Sequence, residues 1–179
     1  LRLDDAPPAL VIDGRYQFGT YDGPIATVNP LDATRRSGLT RRIERVLRNL
    51  RLKDWEAFQL GNDEWFLLGA VYNAKAVGLL QVLGVHKESG RIHRWEKKLP
   101  AVKLSVARGL DGTRSHGRAG DFSISIGNDV SAGRLTVDAS HPGGGALPAL
   151  ELHGIGDCTP GTAGHLVICH PFSADRALY

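Results

Sequence analysis

The side chains best suited to chemistry lie on two segments in the middle of the chain. Tyr72 and Asn73 stand together at the end of an apolar run, and residues 93–96 read His-Arg-Trp-Glu. In an extended strand, His93 and Trp95 share one face, and the arginine and glutamate share the other. Protein cavities hold small ligands with aromatic walls and a few polar groups. We therefore predict Tyr72, Asn73, His93 and Trp95 as ligand-binding residues, with His93 and Tyr72 as candidate catalytic groups. The alternative is a core tryptophan beside an exposed Arg/Glu pair.

The other residue patterns predict neither a metal site nor a bound cofactor. The seven histidines form no HxH or HExxH pattern, and His165 and His170 on one strand would point to opposite faces. The glycine-rich segment 154–164 lacks the GK[ST] ending of a phosphate loop, so we interpret it as a hairpin loop. Cys158 and Cys169 are too few for a disulfide framework, and we expect both to be free thiols.

The elements that must position these residues are β-strands. Four strands are predicted at 54–60, 64–72, 76–86 and 91–99, separated by short polar turns. Such short connections force neighbouring strands to run antiparallel, because a parallel crossover needs a dozen or more residues. The two middle strands are apolar on both alternating faces, which predicts a sheet covered on both sides at its centre.

Alternating apolar and polar residues predict further strands beyond Pro100. They cover 102–106, 122–127 and 134–138, each with one dry face, and 149–153 and 166–172 follow after glycine-rich loops. The fold class is therefore mainly β, an antiparallel meander with one amphipathic helix near the N-terminus.

That helix is predicted over residues 34–52. Its apolar residues recur at helical spacing, and its arginines fill the other face. Residues 35–51 carry a local charge of +6 against +3 for the whole chain, so the remaining residues sum to −3. We expect the apolar side to pack on the sheet and the arginines to be solvated. The alternative is an anion-binding patch of Arg41, Arg42, Arg45 and Arg48 for phosphate, nucleic acid or anionic lipid. Nucleic acid is disfavoured because no aromatic residues interleave with these arginines.

Length and composition set the remaining bounds. A chain of 179 residues with 42% hydrophobic and 23% charged residues is typical of one globular domain. It has no apolar run near the ~20 residues of a membrane span and no secretory signal, so we expect a cytoplasmic protein. Turn-forming residues dominate 1–33, which we interpret as an N-terminal arm leading into a helix and β domain over 34–179.

Several segments together resemble a known family. They are DGRYQFGTYDGP at 13–24, LKDWEAFQLGNDEWFLLGAVYNAKAVG at 52–78, ESGRIHRWEKKLP at 88–100 and HPFSADRALY at 170–179. This order of residues resembles the N-terminal half of the family called domain of unknown function 2804. The resemblance implies a lipocalin-like, carotenoid-hydratase-like double β-barrel, of which 34–179 would be the first half. It also implies that a C-terminal half or a second chain completes the sheet.

Three functional hypotheses follow. The first is an enzyme that transforms a hydrophobic small molecule in a β-barrel cavity by hydratase-like or isomerase-like proton transfer, as the resemblance implies. The second is a non-catalytic carrier of a lipid or other small ligand in the same cavity. The third is a protein that binds an anionic surface or nucleic acid through the arginine-rich helix. The sequence leaves open whether the protein is an enzyme.

Overall fold

The secondary structure is that of a mainly antiparallel β protein, as predicted. The computed structural model describes residues 4–34, 37–159, 167–173 and 176–178, and within these ranges there is one α-helix. The elements are β1 Val11–Ile12, β2 Arg15–Tyr16, β3 Gly19–Tyr21, α1 Gly38–Arg51, β4 Asp54–Gly61, β5 Trp65–Asn73, β6 Val77–His86, β7 Ile92–Pro100, β8 Leu104–Ser105, β9 Thr113–Ala119, β10 Phe122–Asp129, β11 Arg134–His141, β12 Leu150–Asp157, β13 Val167–Ser173 and β14 Arg176–Leu178. Short 3-10 helices occur at Pro30–Asp32 and Ala101–Lys103.

The first large sheet has the strand order β4-β5-β6-β7 and is antiparallel throughout. All four predicted strands are confirmed, with bounds that differ by no more than one residue at either end. Asparagines close two of the turns. The side-chain oxygen of Asn62 accepts a hydrogen bond from the backbone N–H of Trp65 at 2.7 Å, and that of Asn73 accepts one from Lys75 at 2.7 Å. Such local side-chain bonds make asparagine a strong turn former.

The second large sheet has the order β12-β11-β10-β9-β8 and differs in three places from the sequence prediction. Strand β9 was not predicted. The predicted strand at 102–106 is instead a 3-10 turn followed by the two-residue strand β8, and Val102 is 91% exposed. Strand β12 continues to Asp157, so the hairpin loop predicted at 154–164 begins later than expected. Residues 160–164 of that loop, and His165, lie outside the described residues.

The two large sheets pack face to face around one apolar core. Trp95, 2% exposed, comes from the first sheet, and Phe122, 2% exposed, comes from the second. The other buried members are Phe58, Val71, Leu80, Val82, Leu99, Leu104, Ile124, Ile126, Val137, Ala139 and Leu150. Burial of this set is the main favourable contribution to the stability of the sheet pair.

Gly69 on β5 shows how closely this core is packed. A Cβ atom built there would lie 2.3 Å from Cζ of the Phe58 ring and 3.1 Å from the backbone oxygen of Gln81. Neither atom belongs to the flexible end of a side chain, so neither moves away easily. The position therefore requires glycine for reasons of space.

We predict that Gly69→Ala lowers the free energy of unfolding by about 1–3 kcal/mol, because the methyl group overpacks a filled core. Urea unfolding measures the change. Gly61→Ala is the matched control, since its Cβ would have only ordinary contacts from 3.6 Å outward. Equal stability of the two variants would contradict this account of the core.

The N-terminal arm has a small core of its own. Buried arm residues, among them Leu10, Tyr16 and Tyr21, surround Cys169 of β13, and Gly19 of β3 pairs with that cysteine in the sheet β14-β13-β3. Burial raises the pKa of the Cys169 thiol above 9.0. Burial, then the neighbouring Cys169 and Asp4, raise the pKa of the Tyr21 phenol above 10.0.

The arm cluster is therefore expected to lose stability in alkali. Above pH 9.0 the folded protein holds a proton on Cys169 that the unfolded chain releases, so the free energy of unfolding falls as pH rises through the folded pKa. Tyr21 extends the fall above pH 10.0. Urea unfolding at neutral pH and at steps above 9.0 should show a shallower fall for Cys169→Ala than for Cys158→Ala. Parallel curves for the two variants would contradict this assignment.

The apolar side of helix α1 does not pack on a sheet, so that expectation is wrong. Five apolar side chains of the helix are each 54–71% exposed, namely Leu39, Ile43, Val46, Leu47 and Leu50. The helix is instead attached by polar groups, since Arg45 pairs with Asp32 at 2.9 Å and Thr34 donates a hydrogen bond to Glu44 at 2.8 Å. Among the described residues, no helix has the length and apolar character needed to cross a membrane.

Candidate functional site

A cleft of about 510 Å³ lies where the arm, the end of α1, the start of β4 and the segment after β8 meet. This volume is within the range of small-molecule sites, which is roughly 300–1,000 Å³. We name it the Glu56 cleft after its most unusual wall residue. Its apolar walls include Leu10, Ile25, Val28, Leu52, Val106 and Leu110.

Glu56 places a carboxylate in this apolar wall. Glu56 and Phe58 are two residues apart on β4, so their side chains share one face of the strand. Because Phe58 is buried in the core, Glu56 faces inward as well. Asn128 of β10, itself only 4% exposed, donates a hydrogen bond from Nδ2 to Oε1 of Glu56 at 2.8 Å. The other carboxylate oxygen, Oε2, is buried, and no residue in the described part of the chain donates to it. An unpaired buried acceptor is destabilising, so this oxygen favours a donor from elsewhere.

Asn128 ties the carboxylate to the second sheet and to the cleft wall. Its Nδ2 also lies 3.5 Å from the hydroxyl oxygen of Thr113, which donates a hydrogen bond to the backbone oxygen of Gly109 at 2.6 Å. Gly109 lines the cleft. The position of the Glu56 carboxylate therefore depends on both large sheets.

Charged groups surround the rest of the cleft. Asp54 lines it and forms ion pairs with Lys75 and with Arg108, whose Nη2 lies 3.8 Å from the carboxylate. Arg51 and Lys53 also line the cleft, near the end of α1. The Glu56 cleft thus combines apolar walls and one inward carboxylate with several nearby cationic side chains.

Tyr72 and Asn73, two of the predicted site residues, lie on β5 beside two residues that line the cleft. The ring of Tyr72 is 6.1 Å, centroid to centroid, from that of Trp55, which lines the cleft. Asn73 is paired in register with Asp54, another lining residue. Each of these predicted residues therefore contacts or pairs with a cleft residue.

His93 and Trp95 lie elsewhere. His93 lines a second groove, of about 500 Å³, together with Trp65 and His86. Trp95 is a core residue whose Nε1 donates to the backbone oxygen of Pro148 at 2.9 Å, and its neighbours Arg94 and Glu96 are exposed.

The strand register separates the two halves of the predicted set. His93 pairs with Gly84, and Gly84 pairs with Leu67 of β5. Leu67 and Tyr72 are separated along β5 by about 16 Å at the usual rise per residue. The structure therefore separates Tyr72 and Asn73 from His93 and Trp95.

The arginines proposed as an anion-binding patch are also divided. Arg45 is paired with Asp32 at 2.9 Å, and Arg48 lies 4.0 Å from Glu44 one turn earlier in the helix. Arg41 and Arg42 are exposed. Two of these arginines therefore lie near carboxylates, and the other two are exposed.

The sequence prediction missed Glu56 and Asn128. A large aromatic residue such as Trp55 usually points toward the core, yet Trp55 is 52% exposed. A better signal came from Phe58 and Leu60. These apolar residues share a strand face with Glu56, and this pattern predicts that Glu56 faces the core.

Two further findings concern metal ligands and similarity to known proteins. Within the described ranges, no three His, Cys, Asp or Glu side chains are grouped closely enough to hold a metal ion. A scan of protein-family models and searches of curated proteins and of solved structures found no match to this chain. The resemblance to domain of unknown function 2804 stays a prediction.

We predict that Asn128→Asp is destabilising at neutral pH, because it places a second carboxylate against that of Glu56 and removes the only described donor to it. The free energy of unfolding should fall by about 1–3 kcal/mol, measured by urea unfolding.

The double variant Glu56→Gln/Asn128→Asp is the control, because an amide next to the new carboxylate removes the repulsion. If Asn128→Asp is equally destabilising with Glu56 and with Gln at position 56, the interaction described here does not exist.

Proposed function

We propose that the protein binds a hydrophobic small molecule that carries a hydrogen-bond donor, such as a hydroxyl or amino group, in the Glu56 cleft. The observation that carries this proposal is that Glu56, whose buried Oε2 has no donor in the described part of the chain, lines an apolar cleft of ligand size. An apolar ligand body would contact the cleft walls, and its donor would bind Oε2. The implied resemblance to carotenoid hydratases points to the same class of ligand.

The buried carboxylate makes a donor-bearing ligand more suitable than an anionic one. A carboxylate accepts hydrogen bonds and offers none, so an alcohol or amine complements Oε2 of Glu56, whereas a second carboxylate placed at that atom would be repelled. Hydrogen bonds to charged groups contribute about 1.5–3 kcal/mol, which corresponds to a preference of roughly tenfold or more for the donor-bearing ligand.

Hydratase-like or isomerase-like proton transfer at this site would use Glu56. A general base must lie within hydrogen-bond reach of the proton that it takes. Two carboxylates line the cleft, and of these Asp54 is paired with Lys75 and Arg108, whereas Oε2 of Glu56 has no donor in the described part of the chain. The two candidate catalytic residues from the sequence are less suitable, because His93 lines the other groove and Tyr72 is a neighbour of the lining residue Trp55. Carrier and enzyme therefore share one site and differ in whether the ligand leaves unchanged.

Binding of a medium-chain alcohol, decanol, is to be compared with binding of its methyl ether by calorimetry. We expect the wild-type protein to bind the alcohol about tenfold more tightly, because only the alcohol donates to Oε2. Glu56→Gln should abolish this preference, since its amide nitrogen donates where the carboxylate oxygen accepted. Mass spectrometry of the incubated alcohol then separates a carrier from an enzyme.

Glu151→Gln is the matched control, since Glu151 is exposed on β12 of the other sheet, and it should keep the preference for the alcohol. The proposal fails if neither probe binds, or if Glu56→Gln still prefers the alcohol.

A further inference from the structure

We propose that helix α1 attaches the protein to the surface of an anionic lipid bilayer. In this arrangement the exposed apolar residues of α1 enter the boundary between headgroups and acyl chains, and arginines beside them contact lipid phosphates. The inference rests on the helix alone and does not depend on the ligand of the Glu56 cleft.

The apolar residues of α1 form one continuous stripe. At 3.6 residues per turn, Leu39, Ile43, Val46, Leu47 and Leu50 fall within about 100° of the helix circumference. Each side chain is 54–71% exposed, so the stripe is uncovered along the whole helix. The rest of the circumference is polar and rich in arginine. A helix with such a division between an apolar stripe and a basic face is typical of those that lie in a membrane interface.

The fold fixes the orientation of this stripe. The ion pair from Arg45 to Asp32 at 2.9 Å and the hydrogen bond from Thr34 to Glu44 at 2.8 Å both involve helix residues outside the stripe. These contacts hold the polar side toward the 3-10 turn at Pro30–Asp32. The outward direction of the apolar side is therefore stabilised by specific polar contacts.

Charge complementarity favours an anionic bilayer. By the same helical geometry, Arg42 flanks one edge of the stripe and Arg51 flanks the other. Cationic side chains on both edges of a buried apolar strip are placed for lipid phosphates, which attract basic residues by about 1 kcal/mol each near an anionic membrane. Helix α1 contains five arginines and a single acidic residue, Glu44.

The same charges disfavour a second copy of the helix as the partner. Two stripes packed against each other would bring arginines of the two copies together, and the only acidic residue of each helix is engaged on the polar side. Nucleic acid is also disfavoured. Its phosphates would match the arginines, but it would leave the apolar stripe without an apolar partner.

The test is flotation of the full chain with vesicles. We expect binding to an equal mixture of phosphatidylcholine and phosphatidylserine, weakening as salt is raised, and much weaker binding to phosphatidylcholine alone. Val46→Asp should reduce binding by about tenfold or more, because it places a charge in the apolar stripe. Arg42→Gln should reduce it by about fivefold.

Matched controls carry the same chemical changes away from the helix. Val102→Asp alters a valine that is 91% exposed in another part of the chain, and Arg94→Gln alters an exposed arginine of β7. Both should bind vesicles like the wild type. Circular dichroism and thermal unfolding establish that each variant is folded.

Three results would overturn the proposal. The first is no binding to the anionic vesicles, and the second is equal binding by Val46→Asp and Val102→Asp. The third is a dimer of the wild-type chain, seen by analytical ultracentrifugation, that Val46→Asp dissociates, since the stripe would then be covered by a second copy.

Discussion

Contact between the inner faces of the two large sheets is the interaction on which the rest of the structure depends. Trp95 and Phe122 belong to opposite sides of this core, and glycines such as Gly117 leave room for side chains of the facing sheet. The Glu56 cleft lies at one end of this contact, near the start of β4. There the arm and the end of α1, and not a strand, form the wall that faces β4. A polar group is tolerated there because Asn128 reaches it from the opposite sheet.

The strands were predictable where the side chains alternate strongly and the turns have their own chemistry. The first sheet meets both conditions, and its strand bounds are correct to within one residue. Strand β9 fails the first condition. Its inward residues include Ser115 and Gly117, and a Cβ at Gly117 would lie 2.7 Å from Leu80. Small residues are required there because the facing sheet fills the space, and this tertiary requirement leaves no local hydrophobic pattern.

The candidate site was less predictable because it is built from residues far apart in the chain. Glu56 and Asn128 lie 72 residues apart, and neither belongs to a local motif. Tyr72 and Asn73 were chosen for their chemistry and prove to be neighbours of the cleft, whereas His93 and Trp95 follow their strand to another place. Strand periodicity predicts which side chains share a face. It does not predict which end of a sheet a cavity will occupy.

Helix α1 also shows what local periodicity cannot predict. The periodicity of its residues correctly predicted an apolar face. Whether another element covers that face depends on tertiary structure, which periodicity does not specify. The ion pair between Arg45 and Asp32 gives the helix a polar attachment to the arm, and this attachment turns the apolar stripe outward. Arg51 and Leu52, at the end of α1, also line the Glu56 cleft. The last turn of the helix is therefore also part of the cleft wall, so a change in the orientation of α1 would move part of that wall.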